Sequence, residues 1–538
     1  MNSLLQIMEA MGRCVERLIP RLLSQACRDS TSAAYGAFDR DWWHYKIRDF
    51  PSIILQQGSY SVWLTSQMLG QDTNRQAMID LAAAGCRFWN ERATRFRAFE
   101  EYYPREEGYP PLAFSTLAVM KLAMSGVVPA ESIKDGAGVA AKQLRGRFEA
   151  EAGNQQVAGL AALAWLRNAF PLRCGRREFQ DISEHTLALQ NSEGWFGEYG
   201  GPDLGYLSVT IDCLWDLYDA TSDVRYRTSA ASALRCIHRY VSVMGSSIGM
   251  HNARNTDYIL PYGLTRFIVE NTPEQTIAWN VLRTLYSRVE ESNHFIHAVD
   301  DRYLCHYIGL SFIRALHLLS SSCDRISELP EPIVETEAIE TVVEHAGHYL
   351  RRSPDGRVAM IVSLKKGGII TLLSGDNRVS DYGWNLRADG RQYVSHWWSN
   401  SWNWSRNGNT FVIKGDLAPA RDYQSTPMRH MLLRVASACM GYRVTKHLKE
   451  RMIFGKLASP YHFERQITCE LNRVTVKDRI SNVPSSAEVV PAPRSSKRHV
   501  ASADTYHIED LVLSGGIACQ RSTSLSDGVF SANTVYEL

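Results

Sequence analysis

The stretch "SEGWFGEYGGPDLGYLSVTIDCLWDLY", Ser192 to Tyr218, passes from a glycine-rich polar turn straight into an apolar helix. Its helical half is small or apolar nearly all round, as a helix buried on most sides must be. The turn holds Glu198, Tyr199, Asp203 and Tyr206, more chemistry than a connector needs. Four other segments share this form: "LAFSTLAVMKLAM" from Leu112, "VAGLAALAWL" from Val157, "YILPYGLTRFIV" from Tyr258 and "YIGLSFIRALHLL" from Tyr307. With Tyr206 as the middle start, the spacings are 45, 49, 52 and 49 residues. Amphipathic segments such as "YRTSAASALRCIHRYVSVM" lie between them. One buried and one half-exposed helix per period describes repeated αα-hairpins. Closed into a ring they make an (α/α) toroid; left open they make a plain helical array.

Beyond Leu319 the pattern changes. "SSSCDRISELPEPIVETE" reads as a linker, rich in Ser, Pro and Glu. Short β-type runs follow: "RVAMIVSL", "GGIITLLS", "RQYVSHWW", "NTFVIKG", "RMIFG", "RQITCE" and "NRVTVKDRI". Only "PMRHMLLRVASACM" reads as helix, and "NVPSSAEVVPAPRSSKRHVASAD" reads as a long loop. Strands at this spacing predict an antiparallel sandwich. The fold class is therefore α+β and multidomain: an incomplete N-terminal (α/α) toroid of helical hairpins, then a C-terminal antiparallel β-sandwich. The expected division is 1–320 toroid, 321–340 linker and 341–538 sandwich.

Composition narrows the partners. The 538 residues are 45% hydrophobic and 22% charged, a globular profile. Fifty-nine Lys and Arg stand against 57 Asp and Glu, so the net charge of +2 does not describe a nucleic-acid binder. Eleven cysteines, from Cys14 to Cys519 and without a CxxC pair, fit free thiols better than a disulfide framework. No run reaches transmembrane length, so membrane insertion is not expected. The start "MNSLLQIMEAMGRCVERLIPRLL" reads as an amphipathic helix and not a secretion signal. That makes the cytoplasm the default location, with the periplasm or the exterior as alternatives.

In a toroid of hairpins, the loops before the inner helices open on one face. Polar residues there converge on one cleft, and helix N-termini favour anions. "YYPREEGYPP", "GNQQ", "GEYGGPDLGY" and "GMHNARNTDY" occupy those places. Tyr, His, Asn and Arg recur, without a Cys or Ser paired to a nearby His. Such residues suit β-elimination of a uronate polymer, whose C5 proton is acidic beside its carboxylate. The reaction needs a group to neutralise that carboxylate, a base for the proton, and an acid for the leaving glycosidic oxygen. Amides or Arg stabilise the enolate-like charge, and a Tyr acidified by Arg or His serves as base and then acid. Neither a metal nor an organic cofactor is required.

The Ser192–Tyr218 stretch resembles the "DGSxxEx…Y" segment of (α/α)-toroid polysaccharide lyases of the heparinase II/III-like and chondroitin AC or hyaluronate lyase groups (EC 4.2.2.-). The resemblance makes Tyr206 the catalytic base and acid. "GNQQVAGLAALAWL" stands where those lyases carry an Asn-Asn-His-type motif, which implies carboxylate neutralisation by Asn154, Gln155 or Gln156. Here Gln155 and Gln156 replace the family's Asn and His. Arg254, 48 residues after Tyr206, matches the family's catalytic Arg, and His251 is the candidate for the imidazole missing before Tyr206. "YYPREEGYPPLAFST" resembles a "YPxER" cleft motif, bringing in Arg105 and Tyr109. "SGDNRVSDYGWNLRADGRQYV" resembles the "HADxxSFxLxxxGR" strand pair and places Arg378 where the family has His. Trp397, in "SHWWSNSWNW", is a candidate sugar platform. Glu198, Tyr199, Asn252, Asn255 and Tyr258 complete the expected substrate-binding set. The implied partner is an acidic, bacterial capsular polysaccharide, with a Vi-type amino-sugar uronate among the candidates.

Plainer readings stand beside each of these. Tyr206 and Tyr258 suit helix packing, and Asn154 is a favoured N-cap. His251, Arg254 and Asn255 suit a cap with acidic partners. His345, His348 and His396 show no spacing that demands a metal. Two rival functions remain: a glycoside hydrolase on the same ring using Glu198 and Asp203 as a carboxylate pair, and a non-catalytic glycan-binding protein. Oligomeric state is not legible here.

Overall fold

From Leu204 to Leu217 every residue is buried, so the helix Leu204–Thr221 runs through the middle of the protein. In the computed structural model the described residues are 2–69, 73–97, 99–292, 294–322, 326, 329, 333, 337–420, 426–450, 459–470, 472–493 and 517–538. Helices fill the chain to Ser322, and strands dominate from Ile339. The inner helices Tyr109–Met124, Gly153–Ala169, Leu204–Thr221, Tyr262–Val269 and Tyr307–Ser322 correspond to the five apolar segments. Each packs on the next, and Tyr307–Ser322 packs in turn on Gly58–Met68, which touches Tyr109–Met124. The toroid-then-sheet order therefore holds, with a refinement: the inner layer comprises six helices among the described residues and closes on itself.

Close approach explains the small residues. A Cβ on Gly159 would sit 2.2 Å from the Tyr109 hydroxyl, and one on Gly205 would sit 2.3 Å from Thr256 Oγ1. Outer helices are amphipathic instead. In Val224–Met244 the buried Tyr226, Ala230, Ala233, Leu234, Ile237, Tyr240, Val241 and Met244 recur at helical spacing. Asp223 caps its start, and Gly245 ends it at φ +64.

The strand region holds three antiparallel sheets. The first is a meander of β1 (Ile339–Val343), β2 (His348–Arg352), β3 (Val358–Ser363), β4 (Ile369–Ser374) and β5 (Asn377–Asp381). The second joins β6 (Trp384–Ala388), β7 (Arg391–Val394), β10 (Ala418–Pro419) and β13 (Glu488–Pro491) in the order β10-β7-β6-β13. The third comprises β8 (Asn403–Asn407), β9 (Thr410–Asp416), β11 (His462–Cys469), β12 (Arg473–Ser481), β14 (Ala518–Ser526) and β15 (Val529–Glu537), ordered β14-β15-β12-β11-β9-β8. Two readings change. Part of the expected long loop is strand β13, paired with β6, and a second helix, Tyr442–Lys449, follows Pro427–Met440. "RMIFG" and residues 494–504 lie outside the described residues.

The first sheet packs directly on the ring. Val343, Ala346, Leu350, Ala359 and Ile361 join the helical core cluster. Tyr240 Oη meets His348 Nδ1 at 2.9 Å, and Glu193 accepts from the amides of His345 and Ala346.

Candidate active site

Asp203 organises the mouth of the ring. It caps the Leu204–Thr221 helix, its Oδ1 accepting the Tyr206 amide at 3.1 Å. Thr256 Oγ1 donates to the same oxygen, and the Arg254 amide donates to Oδ2 at 3.0 Å. Asn252 adds stitches from the same loop: its Oδ1 accepts from the Leu204 amide and its Nδ2 donates to Thr256 O. Arg254 and Tyr206 are thus registered on one buried carboxylate.

A second junction ties the Glu198 turn to the start of helix Gly153–Ala169. Glu198 Oε1 accepts the Asn154 amide at 2.8 Å, and the amides of Gly153 and Tyr199 donate to Gly197 O and Glu151 O. Tyr199 takes φ +55 and the following Gly200 takes φ +94, so the turn is left-handed at both residues. It throws the Tyr199 ring toward the cleft. The Arg254 guanidinium lies 4.7 Å from that ring's centre and Lys449 Nζ lies 5.9 Å from it. Gln155 Nε2 reaches the Tyr199 hydroxyl at 3.4 Å.

Burial sets the electrostatics. It pushes the Glu198 carboxyl well above the usual range, with the Asp203 charge adding to the rise and the Asn154 amide opposing it. Glu198 Oε2 and Asn154 Oδ1 are buried without a hydrogen-bond partner among the described residues. Asp203 is also raised by burial, against the pull of its Thr256, Tyr206 and Arg254 donors. Tyr206 is 7% exposed and meets Tyr307 edge-on at 6.4 Å. Burial and the neighbouring phenols, Tyr206 among them, raise Tyr258, Tyr303 and Tyr307. Glu101 is raised to about 7 by burial.

Several expected site residues have their polar atoms occupied within the fold. His251, 1% exposed, has Nδ1 on Ser363 Oγ at 2.7 Å and Nε2 on Thr371 Oγ1 at 2.9 Å. Burial holds its pKa well below the usual value, so it is a neutral strut between ring and sheet and not an imidazole beside Tyr206. Gln156 is equally committed. Its Oε1 accepts from Tyr109 Oη and the Glu149 amide, and its Nε2 donates to Thr186. Tyr109 is buried in that same network, and Asn252 spends its amide on the loop. Asn255 Oδ1 accepts from Lys366. Arg105 is exposed at φ +59 with its amide on Glu100. Tyr258 is 1% exposed, and Arg378 stands opposite Leu373 in the first sheet.

Trp397 lines a cleft of about 1060 Å³ together with Tyr199, Trp398, Lys414, His462 and Arg479. The cleft runs from the Tyr199 turn along β9, β11 and β12.

Two lysines escaped the sequence reading. Lys366 Nζ, from the β3–β4 connection, donates to Met250 O, Asn252 O and Asn255 Oδ1 at 2.6, 2.6 and 2.5 Å. Burial lowers its pKa to about 7, while three acceptors match the three N–H groups of the ammonium form. It clamps the loop that carries Arg254. Lys449 pairs with Glu149 beside Tyr199. Their only sequence signal is a "KKGG" turn and a short basic helix.

No family model matches the chain, and no curated protein matches it. Among solved structures it is similar to heparinase III at 11% identity and TM-score 0.43, over 90% of this chain and 73% of that one. An unsaturated glucuronyl hydrolase specific for heparin matches at 12% and 0.38, over 59% of this chain and 97% of that one. The heparan sulfate lyase of Pedobacter heparinus matches at 11% and 0.33, over 89% and 78%. Overlaps this loose say nothing about chemistry.

Proposed function

We propose that the chain is a polysaccharide lyase that cleaves a uronate-containing acidic polymer by β-elimination. The observation that supports the reading is Asp203, which accepts the backbone amides of both Tyr206 and Arg254 and so ties the two residues to one buried carboxylate. Tyr206, as phenolate, takes the C5 proton. The C5–H pair becomes the C4=C5 double bond, the C4–O bond breaks, and the same phenol returns its proton to the departing oxygen. Arg254 favours the phenolate and the enolate-like charge. Asn154, through the N–H groups of its carboxamide, and the adjacent Glu198 face the uronate carboxylate. A Glu198 held protonated by burial donates to that carboxylate where an ionised one would repel it. The cleft beside Trp397 and Trp398 accommodates the flanking sugars. The Glu198–Asp203 hydrolase is disfavoured because Asp203 already accepts three donors inside the fold.

The test is a panel of uronate polymers, including glycosaminoglycans, pectate, alginate and a Vi-type capsular polymer. Shortening with a rise in near-ultraviolet absorbance on at least one polymer is the expected result, because elimination leaves a conjugated double bond. Shortening without absorbance would mean hydrolysis, and retention without shortening would mean a binding protein.

A further inference from the structure

The outward face of the third sheet carries a ladder of charges that one residue leaves open. On β11, Phe463, Arg465 and Ile467 are buried, which turns His462 and Glu464 outward. Its neighbours alternate in register with it: Glu464 stands between Lys414 of β9 and Arg479 of β12, and His462 between Asp416 and Ser481. Lys414 pairs with Glu464 at 3.0 Å, and His462 Nδ1 meets Asp416 Oδ1 at 2.5 Å. Glu464 is thus taken by Lys414. Arg479 is exposed and has no hydrogen bond, ion pair or ring contact among the described residues. From Asn403 on β8 to Arg479 the row crosses three strand spacings, about 14 Å, which is longer than a single sugar ring.

This face is the floor of the cleft of about 1060 Å³. The wall of the cleft is tied to the mouth of the ring. Trp398 packs so closely on Gly201 that a Cβ there would lie 2.2 Å from the indole, and Gly201 stands between Tyr199 and Asp203 in the turn. Trp397 is fixed by its Nε1, which donates to Asp416 O at 3.2 Å. A chain leaving the mouth past Tyr199 therefore runs beside two indoles and over amides and hydroxyls. Of the charged groups in the described lining, Arg479 is the one that no partner balances.

Resting on the lyase reading, we propose that Arg479 is a specificity-determining residue. Its guanidinium binds the acidic group, carboxylate or sulfate, of a sugar beyond the one that loses its C5 proton. Charge density decides the occupant. A nucleic acid presents a phosphate at every residue and needs several free cations, whereas the other basic groups of this floor already have acidic partners. A neutral glycan would suit the indoles and amides but leave the guanidinium without a partner. An acidic polysaccharide supplies both sugar faces for the indoles and an anionic group for Arg479.

The test measures binding apart from cleavage. Tyr206→Phe is the background, which keeps the probe whole, and its retardation is followed in gels cast with each polymer of the uronate panel, with dextran sulfate and with neutral dextran. At least one acidic polymer is expected to retard it, and dextran is not. A sulfate-free uronate polymer marks carboxylate as the group read, and dextran sulfate marks sulfate. Adding Arg479→Gln raises the Kd for that polymer about tenfold, the loss of a charge-assisted hydrogen bond, while Arg479→Lys loses less and the urea midpoint of either stays in place. Lys477→Gln removes the same charge two residues along β12 and outside the cleft lining, and it leaves Kd within about twofold. Equal retardation with and without Arg479→Gln, an equal loss in Lys477→Gln, equal retardation by dextran, or retardation by no acidic polymer overturns the proposal. If retardation depends on Arg479 while the parent chain leaves no double bond in any polymer, the lyase reading fails and the anion subsite stands.

Discussion

Two sets of buried carboxyls sit at opposite depths of the same ring, and their surroundings differ in one respect. Inside, Asp216 is 1% exposed and bonded to Lys121 and to both terminal nitrogens of Arg314. Burial alone would raise it, but the two cations outweigh that and hold it below the usual range. The cavity beside them is about 30 Å³, room for roughly one water and no sugar. At the mouth, Glu198 and Asp203 are as deeply buried, yet their carboxyls are raised and Glu198 keeps one oxygen unpartnered among the described residues. Asp216 is completely paired within the ring. Chemistry needs the opposite, polar groups whose pairing a substrate completes.

Substitutions at the two depths should therefore separate rate from stability. Tyr206→Phe tests the mouth. The expected loss is about 10²–10⁴-fold in elimination rate, followed by absorbance, with folding stability changed by no more than about 1 kcal/mol. A variant that cleaves at the parent rate removes Tyr206 from the chemistry. Arg314→Met tests the interior. It strips one cation from a buried aspartate, and the expected cost is about 3–5 kcal/mol in urea unfolding, with the rate of the folded fraction retained. If stability were untouched and the rate collapsed, the contrast drawn between the two depths would fail.

The same contrast explains what was legible beforehand. Five inner helices announce themselves because they are apolar on most faces. The sixth, Gly58–Met68, buries Ser59, Ser61, Thr65 and Ser66, packing by small size, with Thr65 and Ser66 returning their hydroxyls to its own backbone. No hydrophobic pattern marks it. Strand β14 is exposed at every residue and shows no alternation, whereas β12 alternates cleanly and was readable. Asn154, Glu198, Tyr206 and Arg254, the residues of the proposed site, stand out by position, since each lies at or just before an inner-helix start. The partners of those positions were not readable. His251 and Gln156 look like site residues until Ser363, Thr371, Tyr109 and Thr186 are seen to occupy them. Lys366 binds mainly backbone carbonyls, which carry no side-chain signature.

The smallest expected effect lies on the rim of the mouth and depends on pH. Glu106 Oε2 accepts the amides of Glu101 and Tyr102 at 2.9 and 2.7 Å. Burial first, and then the charge of Glu101, raises Glu106 to about 8. The folded chain thus holds a proton that the unfolded chain, with an ordinary carboxyl near 4.5, has released. Stability from this group is full below about pH 4.5 and declines as the pH rises toward about 8. Because Glu101 is raised as well, the two titrate as a pair. Glu106→Gln keeps the shape of the protonated form and cannot ionise. Urea midpoints measured from pH 5 to 8 should then fall less steeply than in the parent, while Arg314→Met shifts them down without flattening the slope. Identical slopes in parent and Glu106→Gln would show that the rim carboxyls are paired after all, and the distinction between a sealed interior and an open mouth would lose its electrostatic basis.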